Sequence, residues 1–144
     1  MTDPAQPVGG DPLARGLVEA LVEPSAHPHD ASSAAGVRQI QTHISHLYLT
    51  GSRVYKLRKP VRLSFLDFAT RAARNRDCEA ELALNRRLAP DVYLGLAPIL
   101  LSDGNFVVGP VTEQITDADL EHCVVMRRLP ANRDAQSLVE RNAL

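Results

Sequence analysis

Ile44-Ser45-His46-Leu47-Tyr48-Leu49-Thr50 and Arg53-Val54-Tyr55-Lys56-Leu57 decide the fold. Both runs are rich in β-branched, aromatic and aliphatic residues with alternating polarity, and Gly51-Ser52 between them supplies a tight turn. They predict two paired strands, the second ended by Pro60. Val37-Arg38-Gln39-Ile40-Gln41-Thr42, just upstream, has the same β character and predicts a third. The pairing delivers one cation, Lys56, onto a sheet face. A lysine in a strand is ordinarily an exposed edge residue, so its reading depends on the element packed behind it.

That element is a helix. Thr70 is an N-cap residue for a long helix from Arg71 to about Leu88. Spacing of three and four places Cys78, Glu81, Leu82 and Leu88 on one stripe, the stripe that faces the sheet. Glu81 is a carboxylate on that stripe. An unpaired buried charge is costly, so Glu81 requires a cation, and Lys56 is the candidate. Glu79 points elsewhere, into solvent.

Outward from this centre the chain is simpler to read. Residues 1–11, rich in Pro, Gly and Asp, predict disorder. Asp11-Pro12 reads as the N-cap and first position of a short amphipathic helix (12–23) bearing Leu13, Leu17, Val18, Leu21 and Val22. Pro24 ends it, and residues 24–36 read as a linker. In the loop from Val61 to Ala69, the side chains Leu63, Phe65, Leu66 and Phe68 are expected to tuck under the long helix. Asp91–Leu101 reads as a strand bent at Gly95 and Pro98, Ser102-Asp103-Gly104-Asn105 as a turn, and Phe106-Val107-Val108 as the return. Glu121–Arg127 is a last strand, with His122 and Cys123 on opposite faces and only one of them buried. Asp134–Glu140 begins another helix. The fold class is therefore α+β: an antiparallel sheet of roughly five strands with one long helix on it and a short N-terminal helix.

Composition narrows the partners. Sixteen basic and 17 acidic side chains leave no global field for nucleic acid or anionic membrane. No apolar run approaches the roughly 20 residues that span a bilayer, and the N-terminus lacks a signal-peptide pattern. Cys78 and Cys123 read as reduced, buried thiols, which with the absent leader suggests a cytoplasmic protein. Arginines 71, 74, 76, 86 and 87 give the helix a basic face that reads as solvated, with nucleic-acid contact the lesser alternative.

A series of short blocks carries a resemblance. Gln41-Thr42-His43-Ile44-Ser45, Val54-Tyr55-Lys56-Leu57-Arg58-Lys59-Pro60-Val61, Phe65-Leu66-Asp67-Phe68, Cys78-Glu79-Ala80-Glu81-Leu82, Leu84 through Asp91, Tyr93-Leu94-Gly95 and Val125 through Pro130 occur in that order. The chain, over about residues 13–140, resembles the N-terminal lobe of the bacterial aminoglycoside-phosphotransferase-like family, whose fold is protein-kinase-like. Members are often fused to a P-loop ATP-binding domain. The resemblance implies that Lys56 binds nucleotide phosphates with Glu81 as its helix partner, and that Thr42, His43 and Ser45 form the turn over the phosphates. It implies that Met126, Arg127 and Arg128 form an interlobe hinge offering backbone groups to adenine, and that 37–129 is the lobe and 130–144 the start of a truncated second lobe.

The sequence also departs from that family. No His-x-Asp loop and no later metal-binding Asp come after Lys56, and the usual glycine-rich loop is missing. Asp67-Phe68-Ala69 precedes the long helix and is no metal site; Gly51-Ser52-Arg53-Val54-Tyr55-Lys56 is no Walker loop. His27-Pro28-His29-Asp30 lacks further ligands. The expectation is a nucleotide-binding small lobe that is inactive alone. Its ATP site is weak or incomplete, Mg belongs to the full-length enzyme, and a missing second lobe or a second copy covers Met126, Leu129, Leu138 and Val139. The alternative is a stand-alone, non-catalytic binding or regulatory module of the same fold.

Overall fold

β1 (Arg38–Gln41), β2 (Ser45–Leu49) and β3 (Arg53–Arg58) form an antiparallel meander in the computed structural model, which describes residues 10–129. The alternation that predicts the hairpin also sets its register: Leu47 lies opposite Lys56 and Ser45 opposite Arg58. After a small separate ribbon of β4 (Arg62–Leu63) and β5 (Leu66–Asp67) the chain enters the long helix, Arg71–Leu88. β6 (Tyr93–Ser102), β7 (Asn105–Val108) and β8 (His122–Arg127) complete one six-stranded antiparallel sheet in the order β1-β2-β3-β8-β6-β7. β8 thus sits at the centre, with Val124 facing Lys56 on one side and Leu96 on the other.

Period-two alternation gives the sheet two apolar faces, and both are covered. Leu47, Leu49, Val54, Leu96, Val124 and Met126 pack with Cys78 and Leu82 of the long helix. Tyr48, Tyr55, Leu57, Ile99, Cys123 and Val125 pack on the opposite face against Leu17, Leu21 and Ala26. Two-sided cover explains why His122 and Cys123, expected one in and one out, are both buried. It also corrects the expectation that Met126 is uncovered, since its side chain lies in the helix-side core.

The N-terminal region differs from its sequence reading. The first helix, α1, is only Leu17–Ala20, because Gly16 at φ +83 breaks any longer one. Asp11 caps the long helix, α2, instead: its Oδ2 accepts from the Arg71 N–H at 2.9 Å, while Thr70 Oγ1 accepts from Ala73 N–H at 3.1 Å. Residues 24–36, read as a linker, contain two 3-10 turns, Pro24–Ala26 and Ala31–Ala35. They are fastened by Asp30, which accepts from Thr50 Oγ1 at 2.6 Å and from Tyr55 Oη at 3.0 Å. Polar groups that read as linker composition here meet partners far along the chain.

Three apolar expectations fail because local spacing does not fix what lies beneath a side chain. Leu63 and Phe65 do not tuck under α2, because the β4–β5 ribbon turns them outward and Phe65 is 79% exposed. Phe68 is buried as expected. Leu88, placed on the buried stripe by spacing, is 78% exposed; the last turn of α2 meets β6 through Arg86, which donates to Tyr93 O and Leu94 O, and not through Leu88. Of the segment 1–11 expected to be disordered, Asp11 is instead held by Ala69 and Arg71; residues 1–9 and the helix expected from Asp134, with Leu138 and Val139, lie outside the described residues. Among the described residues no helix is long and apolar enough to cross a membrane.

Candidate functional site

Lys56 and Glu81 meet as the alternation and helical spacing require. Lys56 Nζ donates to Glu81 Oε2 at 2.6 Å, with side-chain exposures of 0% and 8%. The strand supplies the cation and the helix the anion, each projecting from a rigid element into the space between sheet and α2. Tyr93 Oη, from the start of β6, donates to the same Oε2 at 3.3 Å.

A second cation completes the site. Arg58 lies two residues after Lys56 on β3 and so points to the same face. Its Nη2 donates to Glu81 Oε1, its Nε to Asp77 Oδ2 at 2.8 Å and its Nη1 to Ser45 Oγ at 3.1 Å. Asp77 and Glu81 are four residues apart on α2, so one guanidinium spans one helical turn. Sequence reasoning misses Arg58, Asp77 and Tyr93 as members of the site. A signal exists for two of them: strand residues 56 and 58 share a face, as do helix residues 77 and 81.

Charge is balanced inside this cluster, with two cations against two carboxylates. Burial works against ionised Glu81, but Arg58 and Lys56 outweigh it and hold its carboxyl below the usual range. Burial also lowers Lys56, and Glu81 offsets this only in part because Arg58 shares that carboxylate and repels the ammonium. For Arg58 burial is likewise outweighed by Glu81, which raises it. Cys78, next to the cluster, is a neutral thiol pushed up to about 12 by burial.

The Thr42–Ser45 segment is a tight turn closed on itself. Thr42 Oγ1 accepts from the N–H of Ser45 at 3.0 Å and of Ile44 at 3.4 Å, and Thr42 N–H donates to Ser45 O at 2.9 Å. His43 is exposed at its tip, and Ser45, buried, reaches Arg58. The turn is therefore wired to the charge cluster through one hydroxyl. Met126 is the penultimate residue of β8, while Arg127 N–H donates to Val92 O at 2.7 Å and Arg128 N–H to Ser52 O at 2.8 Å. These three lie at the far end of β3 from the turn, beside Val54 and Arg53.

The remaining sequence candidates have structural partners. Asp67 Oδ1 accepts from Ala69 N–H at 3.0 Å and turns the chain into α2. His27 is buried against Leu21 O at 2.7 Å. The basic face of α2 is divided: Arg74 is buried against Glu121, Arg71 touches the same carboxylate, and Arg86 Nη2 donates to Leu94 O at 2.7 Å, leaving Arg76 and Arg87 exposed.

Over 113 residues the chain is 37% identical to uncharacterized proteins of Mycobacterium tuberculosis and Mycobacterium bovis, in an alignment covering 78% of this chain and 19% of each relative. The chain thus spans about a fifth of the length of the curated relatives it matches. No protein-family model and no solved structure matches it.

Proposed function

We propose that residues 37–129 are the nucleotide-binding small lobe of an aminoglycoside-phosphotransferase-like small-molecule kinase, with Lys56 as the phosphate-binding cation. The observation that carries this reading is the buried Lys56–Glu81 pair joining the third strand to the long helix. A lysine so held is an oriented point charge, suited to the α- and β-phosphates of ATP. In this reading the Thr42–Ser45 turn lies over the phosphates, and the backbone of Met126–Arg128 meets the base. The chain's own contribution to binding is small, because the N–H groups of Ile44, Ser45, Arg127 and Arg128 already have acceptors. Mg and the phosphate acceptor belong to a second lobe. Nothing in the site points to an aminoglycoside as that acceptor.

One observation favours a second reading. The Lys56 side chain is fully covered, so a nucleotide meets it only after Glu81 or its neighbours shift. In a stand-alone, non-catalytic module the cluster would simply hold the helix to the sheet. Calorimetric titration of Mg-ATP into the chain and into Lys56→Ala separates the two. Weak binding that Lys56→Ala abolishes while the variant still melts cooperatively supports the first reading. Equal binding by both forms, or none by either, moves the assignment to the non-catalytic module. ATP-dependent turnover lost in Lys56→Ala would refute the inactive-lobe description.

A further inference from the structure

We propose that Arg58 is a positioning residue that apportions the Glu81 carboxylate between itself and Lys56, and so links the Thr42–Ser45 turn and helix α2 to the state of the lysine. The inference rests on the nucleotide-lobe reading for its biological meaning, but its physical content does not need nucleotide.

Arg58 is 3% exposed, and its guanidinium reaches three parts of the fold at once. It donates to Asp77 and Glu81 on successive turns of α2 and to Ser45 at the end of the 42–45 turn, while it sits 5.8 Å from the centre of the Phe68 ring. A planar fork holds such a set of acceptors in fixed geometry, which a lysine ammonium does not. Glu81 has two oxygens, one facing each cation, so whatever draws Arg58 toward Asp77 or Ser45 leaves more of Glu81 to Lys56. Asp77 is the adjustable arm, being partly exposed whereas Glu81 is buried. The titratable and charged groups that face Lys56 are Glu81 and Cys78 from α2, Arg58 from its own strand, and Tyr93 through Glu81.

The chain has two lysines, Lys56 and Lys59, so selective lysine ¹³C labelling gives two resolved side-chain signals with the second as reference. Titration of the nucleotide-free full chain tests the sharing. Arg58→Met removes the competitor and its repulsion, so the Lys56 midpoint moves upward. Asp77→Asn removes one of the two carboxylates that hold Arg58 and leaves more of its guanidinium to Glu81, so the Lys56 midpoint moves downward. A residue that only fills space would give neither shift, but the loss of any nearby cation or anion gives these same signs. The charge-neutral Ser45→Ala, which takes one acceptor from Arg58, separates the two: sharing moves the Lys56 midpoint downward there too, and charge loss alone leaves it in place. If Arg58→Met does not fold, Ser45→Ala, which changes no charge, decides. An unmoved Lys56 signal in Ser45→Ala, or movement in the wrong direction in any of the variants, overturns the proposal. A parallel Mg-ATP titration keeps the two claims apart. The lysine shifts without nucleotide binding would leave Arg58 in its role and remove the nucleotide reading. Binding without the shifts would do the reverse.

Discussion

Arg74 on α2 grips Glu121 with both sides of its guanidinium, Nε donating to Oε2 at 2.8 Å and Nη2 to Oε1 at 3.0 Å. Its remaining nitrogen, Nη1, donates to Phe68 O at 2.8 Å, so the same side chain closes the loop that leads into the helix. Both residues are buried. Removing Arg74 leaves buried Glu121 with only the partly exposed Arg71, at 3.3 Å, as a cation, so the cost approaches but does not exceed the about 3–5 kcal/mol of a fully uncompensated buried charge. Arg74→Met should therefore lower the urea midpoint severely, and Arg74→Met/Glu121→Leu should recover much of the loss. A single variant within about 1 kcal/mol of wild type, the range of an exposed pair, would show that the pair is solvated in solution.

Glu81 makes stability depend on acid. Its folded-state pKa lies below the ordinary 4.5, so its contribution is complete above that value and is lost as pH falls through the lower, folded value. At neutral pH Glu81→Gln should destabilise by about 3–5 kcal/mol, because Lys56 and Arg58 lose their shared anion. The gap between wild type and variant should then narrow as the carboxyl protonates. Denaturant midpoints across the acid range measure this, and a gap independent of pH would contradict the charged state assigned to Glu81.

How far the sequence can be read depends on the range of the interactions involved. Alternation over 44–57 and the three-and-four spacing over 78–82 are local signals, and they lead to the hairpin, the helix and the Lys56–Glu81 contact. Arg58 and Asp77 carry the same local signals but are hidden by abundance: charged residues at those spacings are usually solvated. The packing of residues 24–36 is illegible because Asp30 owes its place to Thr50 and Tyr55, and no short window contains all three. Leu88 shows the converse limit, since periodicity defines a stripe but not which of its residues the fold covers.

His27 should weaken the fold on mild acidification. Its ring lies 4.8 Å from that of Tyr55, its Nε2 faces Leu21 O, and its Nδ1 is buried with no hydrogen-bond partner among the described residues. Burial depresses its pKa below 6.5, with Leu21 O and Asp30 opposing. The folded state therefore prefers the neutral ring, so this stability is present above 6.5 and is lost as pH falls from there toward the folded value. His46 and His122 are lowered in the same direction by burial and add to the trend. His27→Gln, whose amide can still donate to Leu21 O, should flatten part of it in stability measurements through the histidine range. An unchanged profile would place the proton uptake on His46 and His122.

Gly95 should be the least replaceable glycine in the sheet. It sits at φ +154, a region that side chains rarely adopt, where the β6–β8 register shifts beside Tyr93. A Cβ there would stand 2.5 Å from Thr112 O and 2.7 Å from Val111 Cγ1. Thr112 cannot withdraw freely, because it exchanges hydrogen bonds with Leu96 in both directions, at 2.8 and 2.6 Å. Gly95→Ala therefore combines backbone strain of about 1–3 kcal/mol with the loss of that bridge. It also shifts the strand that positions Tyr93 against Glu81. Gly104, at φ +81 with nothing within 4 Å of its Cβ position, is the control, since there only the conformational penalty of about 1–2 kcal/mol applies. Thermal melts of the two alanine variants should rank Gly95→Ala well below Gly104→Ala, with faster amide exchange at Leu96 and Thr112 in the former. Equal melting temperatures would mean that the 109–113 segment yields without resistance and that the close approach at Gly95 is not a structural constraint.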